Sequence, residues 1–184
     1  MHGLAGSGKT TISRSLQEAL GAVRLRSDVE RKRLHGLESL ERSASGLNAG
    51  LYAPGASERT YAHLAGLARA ILAARYPVIV DAAFLKRAQR ERFAELARSA
   101  GAGFLIAACN ASETTLRARV ALRERAASDA SEAGLAVLEQ QIKSREALSR
   151  EEAGCALGID AEHGCGDEQT AAVALRLGLS LNLK

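Results

Sequence analysis

The sequence predicts an α/β fold built on a parallel sheet. Three observations carry this. Short apolar runs, PVIVDAAF at 77–84, GFLIAAC at 103–109 and CALGID at 155–160, alternate with helical stretches. The runs are apolar at almost every position, as expected of strands covered on both faces. The chain has the length of one domain, 184 residues, and is 47% apolar but only 3% aromatic, so Ala, Leu, Val and Ile must build the core. This composition excludes a disordered chain, a collagen-like chain and a disulfide-stapled mini-protein.

Each element has its own signal. Ile12, Leu16 and Leu20 recur at i, i+4 along residues 9–20, and Gly21 stops that helix. AVRLR at 22–26 reads as a short strand and 28–35 as a short charged helix. Residues 39–56, with Ser, Gly, Asn and Pro54, read as a loop. A helix is expected over 57–75 with Ser57 as its N-cap, then a strand opened by Pro77 and ended by Asp81. A helix over 86–100, stopped by Gly101, leads to the strand at 103–109. Ser112 caps an Arg-rich helix, 113–127, and a second helix spans about 132–150. No strand separates these two, so 113–150 is expected to project as a helical lid within a single 1–184 domain. The strand 155–160 and a helix over 167–178, capped by Asp167, complete the pattern.

Gly3-Leu4-Ala5-Gly6-Ser7-Gly8-Lys9-Thr10 fits G-x-x-x-x-G-K-[ST] in full. Glycines let the backbone curl until successive N–H groups point inward at phosphate oxygens, and the following helix adds its positive N-terminal end. The expected phosphate set is Gly3, Ala5, Gly6, Ser7, Gly8, Lys9, Thr10 and Thr11. In it Lys9 reaches the β- and γ-phosphates, and Thr10 offers its hydroxyl to Mg²⁺. The plainer alternative is a Gly-rich turn ahead of a helix. Only Met1 and His2 precede Gly3, whereas a strand delivering such a loop needs about five residues.

GLAGSGKTT, VRLRSDVERKRL, YAPGASERTY, PVIVDAAFL and LRARVALRERAASDASEA, in that order, resemble the predicted P-loop kinases of bacteria, an AAA-type ATP-binding family. Its members are often fused behind an aminoglycoside-phosphotransferase-like domain. The resemblance runs from Gly3 to about Ile159. It is more distantly similar to zeta toxin, polynucleotide kinase, chloramphenicol phosphotransferase and gluconate kinase. It implies a three-layer α/β/α P-loop NTPase fold of nucleotide-kinase type. The implied strand order is 2-3-1-4-5, with the central first strand missing from this chain. An open slot is therefore expected between 77–81 and 103–109. Departures from the family pattern are Arg75-Tyr76, where Gly is usual, and Ala83, where Thr is frequent.

The remaining candidates follow from position. Asp28 and Arg31 form D-x-x-R after the strand at 22–26. Asp28 is read as the base that accepts a hydroxyl proton, or as a helix cap, and Arg31 as a fork for acceptor oxygens. Asp81, at the end of a buried strand, is placed to bind Mg²⁺ directly or through water; the plainer alternative is a strand-terminal turn residue. Of the arginines at 117, 119, 123 and 125, Arg119 and Arg123 share a helix face and are the expected transition-state cations; the alternative is an exposed helix paired with Glu113 or Glu124. Asp129 and Ser131 resemble a family stretch in the same lid. The expected activity is transfer of the ATP γ-phosphate to a hydroxyl of a small molecule or a nucleic-acid end. The rival reading is an ATP-binding regulatory module for a phosphotransferase-like partner domain.

The net charge of +4 suits an anionic ligand but is too small to demand nucleic acid. Cys109, Cys155 and Cys165 show no C-x-x-C spacing, and His163 with Cys165 lacks two further nearby zinc ligands. Two cysteines in strands, one in a loop, and a reduced cytoplasmic setting are expected. No apolar run approaches the ~18 residues of a membrane span and no signal peptide is evident.

Overall fold

The computed structural model describes residues 1–39, 41, 55–126, 131, 133–162 and 166–181. Helix α1, Lys9–Leu20, follows the phosphate-loop motif directly and buries Ile12, Ser13, Leu16 and Leu20. Strand β1, Val23–Arg26, runs into α2, Ser27–Leu34. Helix α3, Ala56–Ala73, precedes β2, Val78–Asp81, and α4, Arg87–Ser99, precedes β3, Ile106–Asn110. Then come α5, Glu113–Ala126, α6, Leu135–Ser144, and α7, Arg150–Gly154. Strand β4, Ala156–Asp160, and α8, Asp167–Leu177, end the order.

The strands form two parallel pairs, β1 with β2 and β3 with β4. Val23 stands opposite Val78 and Arg26 opposite Asp81 in the first pair, and Ile106 opposite Ala156 in the second. Helices α1 and α8 pack Ile12, Leu16, Leu20 and Val173 on one side, against Ala107, Cys109 and Ile159. On the other, α3 and α4 bring Tyr61, Leu64, Phe93 and Leu96 against Leu25 and Val80. Fully burying each large side chain contributes about 1.5–3 kcal/mol. The result is a three-layer α/β domain.

Residues 1–3 lie between the two pairs. The Met1 amino group donates to the Val80 carbonyl at 2.9 Å. His2 bridges β3 in parallel, donating to Ala107 O and accepting from Cys109 N, both at 2.8 Å. Behind Met1, an apolar cavity of about 370 Å³ separates Val78, Ile79 and Val80 from Ile106 and Ala107. Leu16, Leu20, Phe93 and Leu96 also line it.

Several boundaries differ from the sequence expectation, each for a local reason. Ser57 is not the N-cap of α3: Gly55 is, at φ 83, so Ser57 lies in the first turn. Asp167 is not the cap of α8 but its first residue, after Gly166. The expected helix over 132–150 breaks into α6 and α7, because Arg145 turns extended at ψ 140 and Ser149 begins a new capping box with Glu152. Residues 103–105 are apolar but lie outside the β3 ladder. Cys109 is buried in β3, whereas Cys155 is half-buried just ahead of β4 rather than in it. Cys165, His163, Asp129 and most of the 39–56 loop lie outside the described residues. Among those described, no helix is long and apolar enough to cross a membrane.

Candidate nucleotide and acceptor site

The motif at 3–10 closes into a tight loop that tolerates no larger residue at two points. A Cβ on Gly3, at φ 148, would stand 2.6 Å from the Cys109 carbonyl. One on Gly6, at φ 81, would stand 2.7 Å from the Leu116 carbonyl. The loop therefore sits directly beneath α5. Leu4 and Ala5 pack with Leu116 and Val120 of α5, and with Ala133 and Leu138, the last on α6.

Lys9 folds back into the loop. Its ammonium donates to the Leu4 carbonyl at 2.6 Å and to Ser7 Oγ at 3.4 Å. Burial pulls its pKa below the ordinary value, and the carboxylates of Asp81 and Asp28 act in the opposite direction. Asp81 is buried at the C-terminal end of β2. It accepts from Ser13 Oγ at 3.1 Å and lies 3.9 Å from Arg26 Nε.

One polar cavity of about 460 Å³ brings the sequence candidates together. Gly6, Gly8, Lys9, Thr10 and Thr11 line it, as do Asp28, Arg31, Asp81, Arg119 and Arg123. Its cations are Lys9, Arg26, Arg31, Lys86, Arg119 and Arg123, against the carboxylates of Asp28 and Asp81. That excess of positive charge suits a polyanion. Asp28 is not a helix cap: α2 begins at Ser27 with Arg26 at the N-cap position. Its Oδ1 accepts from Arg31 Nη1 at 3.1 Å.

Arg119 and Arg123 of α5 separate from their neighbours. Arg119 donates to the carbonyls of Gly6, at 3.5 Å, and Ala161, at 2.9 Å. Arg123 donates to Ala133 O at 2.5 Å. Arg117 instead pairs with Glu139 and Glu113 on the outer side, at 2.9 and 3.0 Å. Gly3, Ser7 and Leu4 do not line the cavity and act as the frame of the loop.

Between Ala83 and Leu85, which line this cavity, Phe84 turns away to line the apolar one. Phe84 adopts φ 51, a costly conformation for a bulky residue. It is held there from three sides. Its N–H donates to Tyr61 Oη at 3.0 Å, and its carbonyl accepts from His2 Nδ1 at 3.1 Å and Arg90 Nη1 at 3.0 Å. Burial pushes the Tyr61 phenol up to about 12, so it stays protonated. Next along this wall, Leu85 and Lys86 line the cavity. Fully buried Arg90 also donates to the Glu146 and Ala147 carbonyls, both at 3.3 Å, and pairs with Glu152 at 2.6 Å. It thus fixes the chain leaving α6 to this wall.

A glycine-framed loop heading a helix, with its lysine turned inward beside a buried strand-end carboxylate, defines a P-loop nucleotide-binding protein. The chain belongs to the AAA domain family, whose model matches residues 1–148. Solved structures share the fold. A sugar kinase from Janibacter sp. HTCC2649 aligns with a TM-score of 0.66 at 20% identity, covering 96% of this chain and 90% of that one. Kti12 from Chaetomium thermophilum, in complex with ADP-AlF3, aligns at 0.69 and 16% identity, covering 96% of each. A gluconokinase from Sinorhizobium meliloti 1021 aligns at 0.56 and 20% identity, covering 96% and 87%. No curated protein matches the chain.

Proposed function

We propose that the chain is an ATP-dependent phosphotransferase that moves the γ-phosphate to a hydroxyl of a small molecule or a nucleic-acid end. The observation that supports it best is the single cavity holding both the phosphate loop and the Asp28–Arg31 pair. A pure nucleotide binder has no need of a carboxylate and guanidinium facing its phosphate site.

In this reading the loop N–H groups from Ala5 to Thr11 hold the phosphates, and Lys9 leaves the Leu4 carbonyl for the β- and γ-oxygens. Thr10 and Asp81 fit Mg²⁺, which takes hard oxygen ligands, one or two carboxylates and the substrate phosphates; bound there, it would neutralise phosphate charge. Among the described residues no cluster of three His, Cys, Asp or Glu exists to hold a metal without a phosphate. Asp28 takes the proton of the attacking hydroxyl and Arg31 holds acceptor oxygens. Arg119, already against the loop, stabilises the charge spread over the transferring group, with Arg123 beside it. Helices α5 and α6 act as the lid that excludes water. The two strand pairs are then the 2-3 and 4-5 of the order 2-3-1-4-5, with the apolar cavity at the place of the first strand.

The test is transfer of labelled γ-phosphate from ATP·Mg²⁺ to a panel of sugars, sugar acids, nucleosides, aminoglycosides and 5′-hydroxyl oligonucleotides. Acceptor-dependent product is expected with one class. Hydrolysis without transfer to any acceptor would instead favour the regulatory module attached to a phosphotransferase-like domain.

Lys9→Met gives a separable prediction. Charge-assisted hydrogen bonds contribute about 1.5–3 kcal/mol each, so calorimetry should show ATP affinity falling roughly 10- to 100-fold. The melting temperature of the nucleotide-free protein should not fall, because the desolvated ammonium gains little from one carbonyl and one hydroxyl.

A further inference from the structure

One peptide group in the phosphate loop is held at both ends. The Leu4 carbonyl accepts from the Lys9 ammonium at 2.6 Å. The N–H of the same peptide, that of Ala5, donates to the side-chain carbonyl of Gln141 at 2.8 Å. Gln141 lies 136 residues away in sequence, on α6. No sequence motif singles it out.

Gln141 is delivered to this place by rigid support. Leu138, three residues earlier, is fully buried against Leu4, Ala5, Leu116 and Val120. One turn later the helix end is fastened to the opposite wall. Lys86 Nζ donates to Ser144 O at 2.9 Å, Glu146 N donates to Leu85 O at 2.9 Å, and Arg90 holds the Glu146 and Ala147 carbonyls. The carboxamide is therefore aimed at the loop by packing on one side and hydrogen bonds on the other.

The chemistry at that point is defined by Lys9. A phosphate-loop lysine meets the β- and γ-phosphates, and here its ammonium rests on the Leu4–Ala5 peptide. Ala5 and Gln141 line the same polar cavity as Lys9, so a γ-phosphate oxygen bound there would compete with the Gln141 carbonyl for the Ala5 N–H. A carboxamide can serve both states. Its oxygen accepts from Ala5 N–H when no phosphate is there, and its NH₂ can donate to a phosphate oxygen after the amide turns over.

We propose that Gln141 is the residue that distinguishes a nucleoside triphosphate from a diphosphate, by reporting the γ-phosphate to the lid through the Ala5 N–H. This role rests on the phosphotransferase reading. In that role Gln141 links closure of α6 to the presence of a transferable group.

The test compares the affinities of a non-hydrolysable ATP analogue and ADP, with Mg²⁺, for wild type, Gln141→Glu and Gln141→Ala. Gln141→Glu places a negative charge against the γ-phosphate. It should weaken the triphosphate analogue at least tenfold while ADP changes less than about twofold. Gln141→Ala should narrow the triphosphate preference of the wild type by about three- to tenfold, with melting temperatures of both variants showing that they fold. Equal shifts for the two nucleotides, or no shift for either, would overturn the role of Gln141 and leave the phosphotransferase reading standing. Wild type binding neither nucleotide would overturn that reading and this inference with it.

Discussion

Replacing Asp28 by Asn should lower phosphate transfer by about 10²- to 10⁴-fold, the usual contribution of a general base, while the ATP dissociation constant stays within about twofold. The geometry separates the two effects. Asp28 lies on α2 next to Arg31, in the cavity the proposal assigns to the acceptor, and makes no hydrogen bond to the phosphate loop. The carboxamide is nearly isosteric and can still meet Arg31. It is far weaker at taking a proton. The Asp28–Arg31 pair is an i, i+3 contact with the carboxylate side chain 27% exposed; such pairs contribute about 0.2–0.5 kcal/mol, so the variant stays folded. A variant that transferred phosphate at the wild-type rate would remove Asp28 from the chemistry. Arg31→Ala should behave differently, raising the acceptor KM more than it lowers kcat, because its guanidinium binds rather than reacts.

What the sequence made legible, and what it did not, follows the range of each interaction. The loop at 3–10 is a contiguous pattern whose glycines answer to local sterics, so it reads directly. Asp28 and Asp81 stand at or just past the C-terminal ends of parallel strands and Arg119 and Arg123 share one helix face, so the topology that the family resemblance implies is what places them in one cavity. Two helix caps lie one or two residues ahead of the sequence expectation. Ser57 and Asp167 both suit an N-cap, but a glycine ahead of each took the half-in position. Gln141, Tyr61 and Arg90 were invisible for another reason. Each matters through a contact with chain far away in sequence: Gln141 with Ala5, Tyr61 with Phe84, Arg90 with Glu152. Phe84 is the hardest case, because a bulky residue at positive φ contradicts its own local preference and is held there only by tertiary partners.

Extending the chain at Met1 by five β-branched residues should raise its melting temperature by about 5–15 °C. The added segment would run back from His2, which already pairs in parallel with β3, into the 370 Å³ apolar cavity between β2 and β3. Each buried Val or Ile contributes about 1.5–3 kcal/mol, against about 1–2 kcal/mol to order each residue. A net gain of a few kcal/mol remains, and each raises the melting temperature of a chain this size by about 2–4 °C. A second effect must be separated from this one. Burial pulls the Met1 amine below its ordinary 8.0, and burial likewise pulls His2 below its ordinary 6.5. In the window between each lowered folded value and its ordinary one, the unfolded chain binds more protons. Stability should therefore fall as pH drops through 8, and fall further below 6.5. Any extension turns the amine into a peptide and removes the upper part of that dependence. A Gly–Ser extension of equal length measures this charge effect alone. If it raised the melting temperature as much as the β-branched one at every pH, the gain would belong to the lost ammonium and the cavity would not be a strand site. If the β-branched chain gained further at pH 9, where the amine is already neutral, the difference would be the packing and pairing of the added strand.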